Sequence, residues 1–300
     1  MIKGPTREPA ARKGTLHVVA TPLGNLEDIT ARGVRILGAV SMVACEDTRR
    51  TRKLLDHFGI RPPRVISCHR FNEKRQTRGI LQVLLRGEDV ALVSDGGTPG
   101  VSDPGALVVQ AAFEAGLPVS PVPGPSTVAA AISVCGFAAT GYLFAGFLPA
   151  RGGERRRAIE ALRGETRPIV LLEAPHRIAS TASDLLEALG DRAMTLLREA
   201  TKVHEEVVRT SLSALAESLR GRPGRGEYTL VLAGAASAAP APQLDDEAIL
   251  ARHGDLIAQG MDRKEAFRTV VKECGRPRGE IYALLRGPGA SAKGRPADGE

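Results

Sequence analysis

The sequence predicts two successive α/β units followed by a small helical module. Three observations carry that prediction. From Thr15 onward, short apolar runs alternate with helical patterns, the texture of a mainly parallel, doubly wound sheet. Near Pro121 that period changes, and new strand candidates arrive with more Glu, Arg and Thr at their ends. A stretch rich in Ala and Pro, residues 235–242, then separates a last block with purely helical patterning. The expected divisions are a basic tail at 1–13, an α/β unit at 14–120, a second at 121–234, a linker at 235–243, a helical module at 244–286 and a tail at 287–300.

In the first unit LHVVA reads as a strand, with a helix from about Thr30. SMVAC precedes a helix from about Asp47, and RVISC one from about Asn72. DVALVS leads through a loop to Asp103-Pro104, which reads as an N-cap followed by Pro at the first helical position. That helix stops at Gly116, and PVSPV is the next strand. In the second unit the strand candidates are YLFAGFL, PIVLLE, AMTLLRE and EYTLVLAG, with helices starting near Gly153, His176 and Ser213. The module reads as three helices joined by tight turns, compatible with a helix-turn-helix arrangement or a plain docking unit.

Composition narrows the function. The chain has 300 residues, a formal charge of +7, 43% hydrophobic and 25% charged residues, the profile of a folded globular protein. Aromatics are 3% and there is no Trp, which speaks against an extended base-stacking surface. The basic balance permits a polyanionic partner gripped through phosphates. Cys45, Cys68, Cys135 and Cys274 are far apart in sequence, so no zinc knuckle or redox pair is expected, only buried or semi-buried free thiols. No run approaches the ~18 apolar residues of a membrane span. A membrane partner is therefore not expected, and a cytoplasmic protein is. There is no P-loop, GxGxxG fingerprint, HExxH or GxSxG elbow.

Three Gly- and Pro-rich loops stand out, each directly after a strand: residues 20–30, 94–105 and 121–131. Gly lets a backbone approach a ligand closely and Pro stiffens the loop. One such loop would be an ordinary turn. Three together, at strand carboxyl ends where open α/β sheets bind ligands, point to a small-molecule pocket.

The segments ATPLGNLEDIT, CEDTRRTRKLLDHFGI, SDGGTPGVSDPG, VPGPST, FAGFLP, EAPHR and REATKVHEE follow one another between about Thr15 and Gly234. Together they resemble the tetrapyrrole-methylase superfamily and, within it, the branch that methylates ribose in 16S ribosomal RNA. The helical module is similar to that branch's small C-terminal domain. The resemblance implies S-adenosylmethionine as cofactor, bound in a cleft between the two α/β domains. It implies the 2′-hydroxyl of a decoding-centre cytidine in the small ribosomal subunit as acceptor, and a homodimer. Carried over by motif, the cofactor-binding residues are Pro22, Gly96, Gly97, Thr98, Val101, Ser126, Thr127, Glu173, Ala174 and Gly226. The family's wording has Ala where Gly96 stands, a change that loosens the loop without removing a donor. Relatives acting on tetrapyrroles often carry Asp in place of Thr98. Two other readings stand beside this one: a methyltransferase for a small tetrapyrrole, and a non-enzymatic ribosome-associated binding protein.

Two arginine clusters are candidates for RNA phosphates: Arg49, Arg50 and Arg52 at a helix start, and Arg151 and Arg155 after the FAGFLP motif, where Arg156 and Arg157 follow. The competing reading is a solvated helix face. A 2′-hydroxyl is a poor nucleophile, so a base or a stabilising cation would help it. Glu46, Asp47, Asp95, Asp103, Glu173, His176, Glu199 and Lys202 all qualify by type, and the sequence does not choose among them. Each also has a structural reading, as cap, strand-end acceptor or ion-pair partner.

Overall fold

The computed structural model describes residues 12–138, 140–236, 244–274 and 276–286. Residues 1–11 of the expected N-terminal tail, most of the expected linker and the whole expected C-terminal tail lie outside the described residues. Arg12 and Lys13, also assigned to that tail, are docked: Arg12 pairs with Asp89 at 3.7 Å, and the Lys13 ammonium donates to the Gly116 carbonyl at 3.0 Å.

The first half follows the predicted alternation: β1 (Leu16–Val19), α1 (Ala31–Ala39), β2 (Met42–Cys45), α2 (Thr48–His57), β3 (Val65–Ser67), α3 (Glu73–Leu85), β4 (Val90–Leu92), α4 (Ala106–Glu114) and β5 (Val119–Val122). The strands form one parallel sheet in the order β3-β2-β4-β1-β5. Both faces are covered. Met42, Ala44, Val90 and Leu92 pack with Ile80, Leu84 and Val108 of α3 and α4, while Val43, Cys45, Ala91 and Val93 meet Ile36, Leu37 and Leu55 of α1 and α2. A strand buried on both faces needs apolar residues at every position, which is why these read as continuous apolar runs.

Asp103 is not the N-cap of α4. The helix begins at Ala106, after Gly105 at φ +132°, and its first turn is capped from a distance. The buried Glu73 carboxylate of α3 accepts from the backbone N–H groups of Gly105 (2.9 Å) and Leu107 (3.1 Å). A carboxylate at a helix N-terminus satisfies its orphan donors and its dipole.

The second half holds α5 (Thr127–Val134), β6 (Leu143–Phe147), α6 (Gly152–Glu160), β7 (Ile169–Glu173), α7 (Ile178–Leu189), β8 (Ala193–Arg198), β9 (Glu206–Ser211), α8 (Leu212–Ser218) and β10 (Tyr228–Leu232). Its sheet runs β6-β7-β10-β8-β9, parallel only between β6 and β7. Helices α6 to α8 cover one face, and Val128 and Ala131 of α5 pack on Val170, Leu197 and Val231 of the other. The expected division at 120/121 falls inside β5, and the chain passes to the second sheet after Val122. Strand β9 had no sequence signal: an edge strand with partly exposed residues needs no apolar run.

The remaining described residues form a separate unit: α9 (Asp246–Ala258), α10 (Arg263–Cys274) and α11 (Arg278–Arg286) around Ile249, Leu256, Ala266, Val270, Cys274 and Ile281. All four cysteines are buried as free thiols. Among the described residues, no helix is long and apolar enough to cross a membrane.

Candidate active site

The three Gly- and Pro-rich loops converge. Thr21, just past β1, and Gly97, past β4, exchange both backbone hydrogen bonds at 2.9 and 2.8 Å. The Thr21 hydroxyl donates to the Ser94 carbonyl at 3.1 Å, and the Thr98 hydroxyl to the Pro125 carbonyl, also at 3.1 Å. Loop two is thereby stitched to loops one and three. Gly97 sits at φ +91°, a conformation that side chains disfavour, and a Cβ there would meet Leu23 at 3.2 Å. Ser126 caps α5, accepting from the Ala129 N–H at 3.4 Å, so that helix opens at the same place.

Between these loops and the ends of β7 and β10 lies a cavity of about 330 Å³. Its apolar lining includes Val101, Val128, Phe147 and Leu172, its polar lining Ser126, Thr127, Asp103, Glu227 and Thr229, and Tyr228 borders it from the start of β10 while packing in the core under α6 to α8. A bulge in β6 aims Phe147 at it. Gly146, at φ +64°, lets the strand lie against Ser102, whose hydroxyl would be 2.9 Å from a Cβ at that position. Ser102 is itself at φ +64°, so both sides of this contact are specialised backbone.

The carboxylates divide sharply. Asp103 lines the cavity, and burial pushes its carboxyl up to about 6; the charges of Glu46, Asp95 and Glu227 add to the rise and a hydrogen bond with Ser94 opposes it. Burial raises Glu46 as well, with Asp95 contributing. Asp95 accepts from the Asp47 backbone N–H at 2.8 Å. Asp47 caps α2 and grips the Arg49 guanidinium at 2.6 Å, which holds its carboxyl well below the usual range. Glu173, 2% exposed, accepts from the Thr181 hydroxyl (2.6 Å) and the Ala174 N–H (2.9 Å), with Arg177 at 3.1 Å. Its acceptor capacity is spent on the β7–α7 turn. Glu199 accepts from the Glu227 N–H and from Lys202, both at 2.9 Å, which lowers its carboxyl; Lys202 also reaches Glu227 at 3.0 Å.

Residues 15–216 match the sequence model of the tetrapyrrole (corrin/porphyrin) methylases, two thirds of the chain. The chain belongs to the tetrapyrrole methylase family. Similar curated relatives include two proteins named ribosomal RNA small subunit methyltransferase I. The one from Synechocystis is 41% identical over 272 residues, covering 90% of this chain and 97% of that one. The one from Thermotoga maritima is 43% identical over 221 residues, covering 74% of this chain and 99% of that one, so about a quarter of this chain has no counterpart in it. Among solved structures, uroporphyrin-III C-methyl transferase from Thermus thermophilus, complexed with S-adenosylhomocysteine, shares the fold. Its TM-score is 0.52 at 22% identity, over 73% of this chain and 97% of that one.

In this family member the cavity gathers Gly96, Gly97, Thr98, Val101, Ser126, Thr127, Glu173 and Ala174. Pro22 lies one layer back. It lines a neighbouring cavity of about 240 Å³ with Arg50, Lys53 and Asp95, and its carbonyl backs Gly96 at 3.1 Å from where a Cβ would stand. Gly226 is also set back, at φ +76° against the Glu199 carboxylate, and presents Glu227 to the cavity. Sequence reading passed over Phe147, Leu172, Pro175, Tyr228 and Thr229. Their signal was present: Phe147 and Pro175 stand inside FAGFLP and EAPHR, Leu172 adjoins EAPHR, and Tyr228 and Thr229 begin β10.

The arginines need one correction. Arg49 (85% exposed), Arg50, Arg52 and Arg151 are on the surface, Arg50 facing Asp95 at 3.6 Å and Arg151 facing Glu154 at 3.6 Å. Arg155 is 11% exposed and locked to Asp184 of α7 at 2.6 Å. It holds α6 on α7 and is not placed to meet a phosphate. Its neighbours Arg156 and Arg157 face outward.

Proposed function

We propose that this chain is an S-adenosylmethionine-dependent methyltransferase that modifies the 2′-hydroxyl of a decoding-centre cytidine in 16S ribosomal RNA, acting as a homodimer in the cytoplasm. The observation that carries the reading is the cavity at the meeting of three backbone-stitched loops, in a chain whose curated relatives are named for ribosomal RNA methylation. The residues suit the donor. Val128, Phe147 and Leu172 offer apolar faces to a purine, and the start of α5 at Ser126 and Thr127 suits a carboxylate. Asp103 and Glu227 give the cavity a negative side that favours a cationic ligand. Gly96, Gly97 and Ala174 contribute shape, and Thr98, Val101 and Glu173 complete the lining. When bound, the sulfonium supplies an electrophilic methyl group.

Of the eight residues that could serve as base, Asp103 is the one that lines the cavity with its proton affinity raised toward neutrality. Asp47, Glu173 and Glu199 are already committed to other donors. A carboxyl near 6 is ionised at neutral pH yet basic enough to share the hydroxyl proton in the transition state. Alignment of the acceptor would supply much of the remaining acceleration. Arg49, Arg50, Arg52 and Arg151 are surface cations suited to RNA phosphates.

The test uses purified chain, labelled donor and 30S subunits lacking the mark. Label on the ribose of a decoding-centre cytidine is expected. No transfer to RNA, with saturable S-adenosylhomocysteine binding intact, would overturn the acceptor, and transfer to a porphyrinoid would replace it. No binding of S-adenosylhomocysteine would return the chain to a non-enzymatic role.

A further inference from the structure

We propose that the groove between α10 and α11 of the helical module is a second RNA-binding site, one that stacks an unpaired base and holds its flanking phosphates. The groove, about 720 Å³, is lined by Lys264, Phe267, Arg268, Arg278, Gly279 and Tyr282. Helical spacing explains the grouping. Lys264 and Arg268 are four apart on α10 with Phe267 beside them, and Arg278, Tyr282 and Arg286 recur every fourth residue on α11.

The charge is local to this face. The module has eight acidic and eight basic residues, yet no acidic residue among those described lines the groove. Glu273 is taken by Arg252 at 2.9 Å, and Asp246 and Glu280 by Arg276 at 2.6 and 3.4 Å, all elsewhere on the module. A neutral module thus presents three cations side by side.

The aromatics point to a base. Phe267 and Tyr282 pack edge to face at 5.9 Å and 74°. Arg278 lies over the Phe267 ring at 5.5 Å and Arg286 over the Tyr282 ring at 4.5 Å. Tyr282 is 47% exposed. A half-exposed ring beside guanidinium groups combines the two elements of sequence-tolerant single-strand binding, a π-face for stacking and cations tracking the backbone. An acidic protein segment would use the cations but not the rings.

The proposal goes beyond the methyl-transfer reading, and each can fail alone. The experiment measures binding of the full chain to a fluorescein-labelled ten-nucleotide oligouridine by anisotropy across a salt series. S-adenosylhomocysteine calorimetry and thermal melting certify each variant as folded with an intact cavity. Tyr282→Ala should weaken binding about tenfold, and Tyr282→Phe should restore it. Arg268→Ala with Arg278→Ala should lower the slope of log affinity against log salt by about 1.4, roughly 0.7 for each phosphate no longer neutralised. Unchanged affinity and slope in folded variants would overturn the site. So would polyglutamate competing as well as RNA, with Tyr282→Ala matching the parent, since that describes an acidic protein's docking face. If Tyr282→Ala lowers the melting temperature, the arginine pair, both exposed, decides alone.

Discussion

The cavity at the loop junction and the groove on the helical module are built from opposite materials. The cavity is shaped by main chain: glycines at positive φ, prolines and backbone bonds such as Thr21 to Gly97. The groove is shaped by long side chains projecting from two regular helices. A main-chain site is least forgiving at its positive-φ glycines, such as Gly97, where any side chain forces a strained backbone. A side-chain site is graded, because each cation contributes separately and salt screens it. The first suits a small ligand of fixed shape, the second a flexible polyanion.

The largest effect should come from one carbon skeleton placed in the main-chain site. Gly97→Val puts a β-branched residue at φ +91° against Leu23, and should reduce S-adenosylhomocysteine affinity at least about a hundredfold by calorimetry. Unchanged affinity in a folded variant would show that the cavity is not shaped by its backbone.

Next is Asp103→Asn. Methyl transfer should fall about a hundredfold or more, and the rise in rate with pH centred near 6 should disappear, because only the ionised carboxylate accepts a proton. Stability should move the other way. An acid whose proton affinity is raised on folding makes the fold less stable where it is ionised, above about 6, and that penalty fades as pH falls toward the ordinary aspartate range. The variant should therefore be more stable at pH 7.5, by about 1 kcal/mol in urea unfolding after allowing for solvent screening, and show no gain near pH 4. A pH profile left intact in Asp103→Asn would remove it from the reaction.

The arginines extend the contrast to the surface. Arg49→Ala with Arg50→Ala should flatten the salt slope of RNA binding by about 0.7–0.9 for each phosphate left without its cation, while cofactor affinity stays unchanged. Arg155→Ala should leave that slope alone and cost about 1–3 kcal/mol of stability in urea unfolding, because it strips Asp184 of its half-buried partner. Exchange of these two outcomes would reverse their assignments. The smallest effect belongs to Gly96→Ala. Its Cβ would sit 3.1 Å from the Pro22 carbonyl, so loop one must give by a few tenths of an ångström, and cofactor affinity should change by less than about threefold.

What sequence reading recovered was local. The strand and helix alternation of the first half, the helix starts near Thr30 and Asp47 and the three loops are all written within a few residues of where they act. The motifs of the family are of the same kind, and so the cavity's Gly96, Gly97, Thr98, Ser126 and Thr127 were legible together. Asp103-Pro104 looked like a helix start for the same reason, since the pair has the right local chemistry.

Tertiary structure decided where distant partners meet. Glu73 reaches from α3 to cap α4, which freed Asp103 to line the cavity. Asp184 draws Arg155 inward, and Glu46 and Asp95 come beside Asp103 and help raise its proton affinity. The module's equal charges separate into ion pairs and a basic aromatic groove only when its helices pack. Propensity, capping and turn chemistry act over three or four residues and can be read along the chain. Burial, ion pairing and electrostatic coupling depend on distances in space, and only the fold sets those.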